Sequence, residues 1–377
     1  MPLRILHTAD WQIGRVYAAF EPDDAVALSE ARLETVARIA AHAQEKGMDA
    51  VLVAGDVFDA QGVSDRTIRR LFNALDAYDG PWVFLPGNHD AALSESVWTR
   101  ARRMQAVPGN VHLALAPEVC RFPHLKLSVM PAPLTQRHTY DDLTAWFDET
   151  DTEPGDYRVG LAHGCVQGIL DEDIDSANPI AADRVERARL DYLALGDWHG
   201  LRQINECCWY SGTPEQERFR QNDPGHVLEV TFSTPGESPS VTPTRIGRYV
   251  WEAWRDELQV DSDLDALLAR LQEVGADRVI DLRPSGSLDM AARQRLRTAM
   301  EEAEARARAL RFNDSSLRLA PSAEDLEALR ADGYLGEVLD DLRQRLDGAG
   351  DDAAVAEQAL LIFAEVLGDK KHEGGAS

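Results

Sequence analysis

The sequence predicts an α/β protein built on layered sheets, followed by a smaller α+β unit and terminal helices. Three observations carry this. Five short apolar runs in the first 200 residues are continuous rather than alternating, the pattern of strands buried on both faces. Amphipathic helical stretches separate the early runs, which gives the strand–helix–strand repetition of a layered sheet. Each run then ends in a polar cluster, and the carboxyl ends of strands are where open α/β sheets gather ligands.

In chain order, the first run is Leu3–Leu6, ending in His7-Thr8-Ala9-Asp10. A helix over Ser29–Lys46 follows, with Leu33, Val36, Ile39 and Ala40 on one face. The second run, Ala50–Ala54, ends in Gly55-Asp56, and a second helix over Ser64–Ala77 carries Ile68, Leu71, Phe72 and Leu75. Trp82–Leu85 leads to Gly87-Asn88-His89-Asp90, Val159–Ala162 to His163-Gly164, and Tyr192–Leu195 to Gly196-Asp197-Trp198-His199. Around Pro224–Arg248 the texture changes to short strands, Val227–Phe232 and Val241–Ile246, punctuated by proline and glycine.

After Trp254 a second unit is expected: a helix over Ser262–Val274, a strand Arg278–Leu282, a long helix Asp289–Leu310 and a strand Ser316–Leu319. The domain boundaries read 1–250, 251–320 and a helical segment 321–377. In that segment Leu335, Val338, Leu339, Leu342 and Leu346 share one face, and Val355, Ala359, Ile362, Phe363 and Val366 another. These faces either pack on their own domain or meet a partner helix. Lys370–Ser377 should fray.

Composition bounds the function. With 44% hydrophobic and 28% charged residues, the 377-residue chain is globular rather than disordered. No apolar run has the ~18–20 residues of a membrane helix, and Met-Pro-Leu-Arg-Ile-Leu-His enters a strand with no signal or transit peptide before it. Cys120, Cys165, Cys207 and Cys208 show no C-x-x-C spacing, so neither a thiolate zinc site nor a disulfide framework is indicated, and Cys207-Cys208 should be buried. A reducing cytoplasm is the expected location. The net charge of −26 is spread along the chain and repels polyanions. A nucleic-acid substrate must therefore be held by local arginines, metal ions or a partner.

The strand ends supply Asp10, Asp56, Asn88, His89, Asp90, His163, Asp197 and His199. Carboxylates, an amide and imidazoles are the donor set of hard or borderline divalent cations such as Mn²⁺, Fe²⁺ or Mg²⁺. Asp56 is able to bridge a pair of them, ~3.5–4 Å apart. Singly, Asp10, Asp56 and Asn88 read as helix N-caps; as a set with three histidines they read as a site.

The ordered motifs Asp10-Trp11-x-Ile13-Gly14, Gly55-Asp56-Val57-Phe58-Asp59, Gly87-Asn88-His89-Asp90, Ala162-His163-Gly164 and Gly196-x-x-His199 resemble those of the calcineurin-like metallophosphoesterases. His7-Thr8-Ala9-Asp10-Trp11 and Tyr210-Ser211-Gly212-Thr213-Pro214-Glu215 are similar to its SbcD-like nuclease branch. The resemblance covers residues 7 to about 215. It implies a four-layer α/β/β/α domain, with the later α+β unit in the position of a capping domain. It also implies two divalent metal ions, Mn²⁺ first with Mg²⁺ or Fe²⁺ as alternatives. Asp10 and His199 would hold one ion, Asn88 and His163 the other, and Asp56 would bridge. His89 and Asp90 are the implied catalytic pair: His89 over the scissile phosphate, assisting the leaving oxygen, and Asp90 with Asp59 orienting loops and imidazoles. His7 reads as a core histidine or one that supports the ligands.

Two positions depart from that pattern. Gln12 stands where the family has histidine, and Asp197 where it has the first histidine of His-x-His. Exchanging two nitrogens for oxygens either shifts the preference toward Mn²⁺ or Mg²⁺ or marks a site that has lost one metal. Trp11 and Trp198 flank ligands, as core residues or base-stacking platforms. Arg100, Arg102 and Arg103 form the densest positive patch near a motif, as a DNA contact or a solvated helix face. The expected function is metal-dependent DNA hydrolysis as the nuclease component of a double-strand-break repair complex, working as a homodimer with an SbcC-like coiled-coil ATPase. The alternatives are a small-nucleotide phosphoesterase and a catalytically weak scaffold binding an ATPase and DNA.

Overall fold

The computed structural model describes residues 2–168, 178–320 and 334–346, with a few positions between 352 and 362. The chain forms two compact units, Met1–Val250 and Trp251–Ser377.

The first half of the first unit runs β1 (Leu3–Thr8), α1 (Pro22–Lys46), β2 (Ala50–Ala54), α2 (Asp65–Asn73), β3 (Trp82–Leu85), α3 (Val97–Arg103), β4 (Val111–Leu113), β5 (Cys120–Phe122) and β6 (Leu127–Ala132). The second half adds β7 (Tyr157–His163), β8 (Cys165–Val166), β9 (Pro179–Ile180), α4 (Arg184–Arg187), β10 (Tyr192–Gly196), β11 (Arg202–Asn205), β12 (Cys208–Tyr210), β13 (His226–Phe232) and β14 (Ser240–Arg245). Two six-stranded sheets result, ordered β14-β13-β1-β2-β3-β4 and β11-β12-β10-β7-β6-β5. The five apolar runs are thus divided, three to one sheet and two to the other. All pair in parallel within their sheet, while β13 closes on β1 antiparallel.

The layering follows from alternation. Ile5, Leu52, Val83 and Leu85 on one sheet meet Leu127, Val129, Val159, Leu161 and Ala194 on the other, all at or near zero exposure. The opposite face of the first sheet (Leu6, Val51, Val53, Phe84) is covered by Val36 and Ile39 of α1, Ile68 and Leu71 of α2, and Trp98 of α3. The outer face of the second sheet packs on Phe147, Val185 and Ala188, a thin layer made from α4 and a 3₁₀ turn at Ala145–Glu149. This is the α/β/β/α order, with a slender fourth layer.

His7 lies between the sheets, fully buried. Its Nε2 donates to the Leu195 carbonyl (3.1 Å) and its Nδ1 accepts from the Tyr192 hydroxyl (3.0 Å). Burial drives its pKa down from 6.5 to about 3, only partly opposed by the Leu195 bond. Below pH 6.5 the unfolded chain takes up a proton that the folded chain refuses until about pH 3. Stability is therefore lost as pH falls through that window, at up to about 1.4 kcal/mol per pH unit. A His7→Gln chain should hold its urea midpoint better between about pH 6.5 and 4.5, and parallel acid slopes for the two chains would remove His7 as the cause.

The second unit contains β15 (Val250–Trp254), β16 (Glu257–Leu258), α5 (Asp261–Gln272), β17 (Arg278–Leu282), β18 (Ser285–Leu288), α6 (Met290–Arg306), β19 (Ala309–Phe312), β20 (Ser316–Leu319) and α7 (Tyr334–Leu346). Its strands form two three-stranded sheets, β15-β17-β19 and β16-β18-β20, around Leu258, Leu264, Leu271, Ile280 and Leu296. The long helix stops at Arg306, not Leu310. Ala307 turns to an extended conformation, and Ala309 and Leu310 pair with Val279 and Ile280 as strand. The apolar stripe through Leu335, Leu339 and Leu346, the stripe ending at Phe363 and Val366, and the tail from Lys370 fall largely outside the described residues.

Candidate metal centre

The ends of β1, β2, β3, β7 and β10 converge from the two sheets, and the backbone there is bent to turn side chains inward. Asp10, Gln12, Asp56, Asp197 and His199 all have positive φ (54°, 50°, 52°, 103° and 59°), a region non-glycine residues rarely occupy. The reversals are tied to one another: the amide of Asp10 donates to the Gly55 carbonyl (3.0 Å), that of Gln12 to the Asp56 carbonyl (2.9 Å), and that of Asp197 to the Asp10 carboxylate (3.1 Å). Gly87 is required by close approach, because a Cβ there would lie 2.2 Å from Asp56 Oδ1 and 2.4 Å from its amide nitrogen.

Ligand atoms of Asp10, Asp56 and His199 lie within 4.8 Å of one another. On another side of Asp56, His163 Nε2 stands 3.6 Å from Asp56 Oδ1 and 3.6 Å from Asp197 Oδ1. Asp56 neighbours both His199 and His163, as does Asp10, whose Oδ1 lies 3.9 Å from His163 Nδ1. Three imidazoles are held alike by Nδ1: His163 donates to the Ala54 carbonyl (2.8 Å), His199 to Glu217 Oε1 (2.7 Å) and His89 to the Asp59 carbonyl (2.7 Å). Each is left with Nε2 as its available nitrogen, the arrangement that fixes the tautomer of ligating or proton-transferring histidines.

The electrostatics ask for a cation. Burial, with Asp56 and Asp197 nearby and against the pull of His199 and His163, raises Asp10 to about 6. Burial opposes a charge on His163, but the carboxylates of Asp56, Asp197 and Asp10 outweigh it and raise the imidazole to about 9. Gln12 Oε1, Asn88 Oδ1 and His163 Nε2 are buried without a hydrogen-bond partner among the described residues. Orphaned polar atoms beside three carboxylates fit a divalent cation and little else.

A profile of the calcineurin-like phosphoesterase family matches residues 3–230. The chain belongs to that family. The D subunit of the nuclease SbcCD from Escherichia coli (strain K12) is 39% identical to it over 101 residues, 25% of this chain and 23% of that protein. The protein of the same name from Rhodobacter capsulatus is 40% identical over 95 residues, 24% and 22% of the two chains. The match thus spans under a quarter of these relatives. Among solved structures, TT1561 of Thermus thermophilus is 12% identical with a TM-score of 0.42, covering 65% of this chain and 100% of that one.

In this phosphoesterase Asn88, His89, Asp197 and His199 line a cleft of about 280 Å³, while Asp10, Gln12, Asp56 and His163 are buried. His89 is half-buried at its edge, with its amide donating to Asp56 Oδ1 (2.9 Å). The Asp90 carboxylate is fully buried and accepts from the amides of Gly87 (2.7 Å) and Phe58 (3.1 Å), clamping the Asn88-His89 turn to the loop after Asp56. Burial, then the Asp56 charge, raises its pKa against these two bonds. Asp59 holds His89 through its backbone carbonyl, while its carboxylate pairs with Arg15 at 3.1 Å. Gln12 donates to Asp56 Oδ2 at 2.7 Å. His7, with both nitrogens bonded between the sheets, does not join the cluster.

Arg100, Arg102 and Arg103 do not line the cleft. Arg100 bonds the Val63 carbonyl and pairs with Asp65 (3.3 Å), Arg102 reaches the Leu113 carbonyl (3.4 Å), and Arg103 pairs with Glu95 (3.1 Å). The cations at the cleft are Arg218 and Arg220, on the loop between β12 and β13. The same loop supplies Glu217, buried and paired with His199, Arg15 (3.1 Å) and Arg218 (2.9 Å). Burial disfavours its charge, but His199, Arg32 and Arg15 more than offset that and hold the carboxyl far below its usual range. Sequence reasoning missed all three, because Pro-Glu-Gln-Glu-Arg reads as a solvated loop. Trp11 is a core residue, edge-on to Trp82 and Phe84, whereas Trp198 lines the cleft. Of the two adjacent thiols Cys208 is buried but Cys207 only half so.

Proposed function

We propose that the chain is a metal-dependent phosphodiesterase acting on DNA, the nuclease half of a complex with an SbcC-like coiled-coil ATPase. The observation that supports this is Asp56 lying beside Asp10 and His199 and also 3.6 Å from His163, with Asn88 and His89 lining the same cleft. Ions held by those residues would supply Lewis acidity toward a phosphoryl group and a nucleophile at neutral pH. The chain's own part is to hold the ester and move a proton. Asp59 and Asp56 fix the ring and backbone of His89, which leaves Nε2 to donate to the departing oxygen. Mn²⁺ is the preferred ion, since oxygen donors at positions 12 and 197 favour a harder metal. Homodimer formation, a capping role for the second unit and a cytoplasmic setting belong to the same reading.

The net charge of −26 favours a second reading, a phosphoesterase for small nucleotides. One assay separates them. With Mn²⁺ or Mg²⁺ the full chain should degrade linear or single-stranded DNA, weakly and with steep salt dependence, and faster once the ATPase is added. Higher kcat/KM on mononucleotide esters than on DNA would favour the second reading. No hydrolysis of either class would overturn both.

The unusual pair gives its own expectation. Asp197→Ala should raise the Mn²⁺ concentration for half-maximal activity by at least about 10–100-fold, because a full negative charge beside His163 is lost. Gln12→His should lower it, by offering a nitrogen and freeing Asp56 Oδ2. Equal Mn²⁺ dependence in the parent and both variants would show that neither side chain touches a metal.

A further inference from the structure

The cleft beside His89 and His199 carries a feature that metal binding does not explain. Trp198 lines it, and two guanidinium groups lie over its indole ring, Arg202 at 5.3 Å and Arg220 at 4.9 Å from the centroid. Arg220 is exposed and faces the cleft, and no carboxylate pairs with it among the described residues. Its neighbour Arg218 pairs with Glu217 at 2.9 Å, a carboxylate it shares with Arg15 and His199. A guanidinium held over an indole ring by cation–π attraction gives no N–H hydrogen bond to a carboxylate there, so its donors stay available for an anion. In a chain this acidic, an arginine in the cleft lining with no carboxylate partner among the described residues is a local cation of the kind a polyanion needs.

We propose that Arg220, braced on Trp198, forms a subsite for the phosphate next to the scissile one in a nucleotide chain. The proposal rests on the phosphodiesterase reading above and adds a substrate requirement to it: the preferred ester carries a second, anionic phosphate. A compact diester such as bis(4-nitrophenyl) phosphate has nothing to place there.

The test is a cycle between the protein and the substrate, run with the full chain and Mn²⁺. Short thymidine oligonucleotides are compared with the same oligonucleotides in which one linkage beside the cleaved one is a neutral methylphosphonate. In the parent, that change should raise KM on the order of tenfold, the size of a lost charge-assisted hydrogen bond, with a smaller effect on kcat. Arg220→Ala should raise KM for the all-phosphate oligonucleotide by a similar factor, and the methylphosphonate should then cost it nothing further. Arg220→Lys, which keeps the charge but not the planar fork, should recover only part of the loss. Arg102→Ala, an equal change of charge away from the cleft, should match the parent.

Additive losses from Arg220→Ala and the methylphosphonate would overturn the subsite, as would equal losses in Arg102→Ala and Arg220→Ala. Failure of the parent to hydrolyse oligonucleotides and bis(4-nitrophenyl) phosphate alike would overturn the phosphodiesterase reading instead. The subsite is then read from binding of a fluorescein-labelled thymidine oligonucleotide. Arg220→Ala should reduce the slope of log affinity against log salt by about 0.7, one single-strand phosphate contact, and an unchanged slope would count against the proposal.

Discussion

Replacing His89 by alanine is expected to leave metal content intact and to lower kcat for phosphodiester hydrolysis by about 10²–10⁴-fold, the usual contribution of a positioned acid or base. The geometry separates the two effects. Contact with the Asp56 carboxylate is made by the His89 backbone amide, which an alanine keeps. Nδ1 is tied to the Asp59 carbonyl, so the ring offers the cleft only Nε2. A group that acts only in the transition state lowers kcat and kcat/KM together without loosening the site. The check is metal stoichiometry by elemental analysis beside steady-state kinetics on a short thymidine oligonucleotide, whose alkoxide leaving group needs the proton, with bis(4-nitrophenyl) phosphate as the diester whose nitrophenolate leaves without one. Loss of an ion in the variant would make His89 a ligand and refute the role. A substrate whose leaving group needs no proton should be far less affected, and an equal loss on such a substrate would point to positioning rather than proton transfer.

What could be read in advance has a common cause. Asp10, Asp56, Asn88, His163 and Asp197 each end a run whose burial shows in its own composition, and parallel strands carry their carboxyl ends to one edge. Which strands pair is non-local, so the five runs gave no sign that they belong to two facing sheets. β6 went unseen because Ser128 and Pro131 interrupt its apolar character. It is nonetheless wholly buried, with the Ser128 hydroxyl donating to Asp156 at 2.8 Å. α1 starts at Pro22 rather than Ser29, and here the signal was present in the proline at its start and in Asp23 and Asp24 of its first turn. α2 ends at Asn73 while Leu75 stays buried in the turn that follows, so periodicity alone overran the helix.

The loop at residues 211–225 marks the limit of such reading. Glu215, Glu217, Arg218 and Arg220 have no periodicity, and their charges suggest solvent. Only the fold shows that Glu215 accepts from the amides of Arg248 (2.9 Å) and Tyr249 (2.9 Å), and that Glu217 orients His199. Arg32 was hidden differently. It sits on a helix with a clear apolar stripe, where one arginine is expected to reach water. In fact it is 1% exposed.

Arg32→Met is expected to destabilise the first unit by about 3–5 kcal/mol, the range for breaking a buried, hydrogen-bonded charge. The guanidinium donates to the carbonyls of Trp11 (2.7 Å), Asp10 (3.3 Å) and Glu215 (3.0 Å), to the Tyr17 hydroxyl (3.1 Å) and to Thr213 Oγ1 (3.0 Å), with Glu217 Oε2 at 4.0 Å. One side chain thereby joins α1, the loop after β1 that carries Asp10, and the loop that supplies Glu217. Methionine fills much of the volume but leaves these acceptors dry and unpaired, each at roughly 1–3 kcal/mol before relaxation. Arg32→Lys should recover little, because an ammonium offers three donors from a single point and does not span three separated carbonyls. Urea unfolding followed by tryptophan fluorescence reads the loss, since Trp11 and Trp82 sit in the same core. In chains still folded at low temperature, Mn²⁺ affinity should fall as well, because Asp10 and His199 lose the tie that holds their loops in register. A stability change below about 1 kcal/mol, with unaltered metal affinity, would mean that water replaces the guanidinium and that this buried arginine organises nothing.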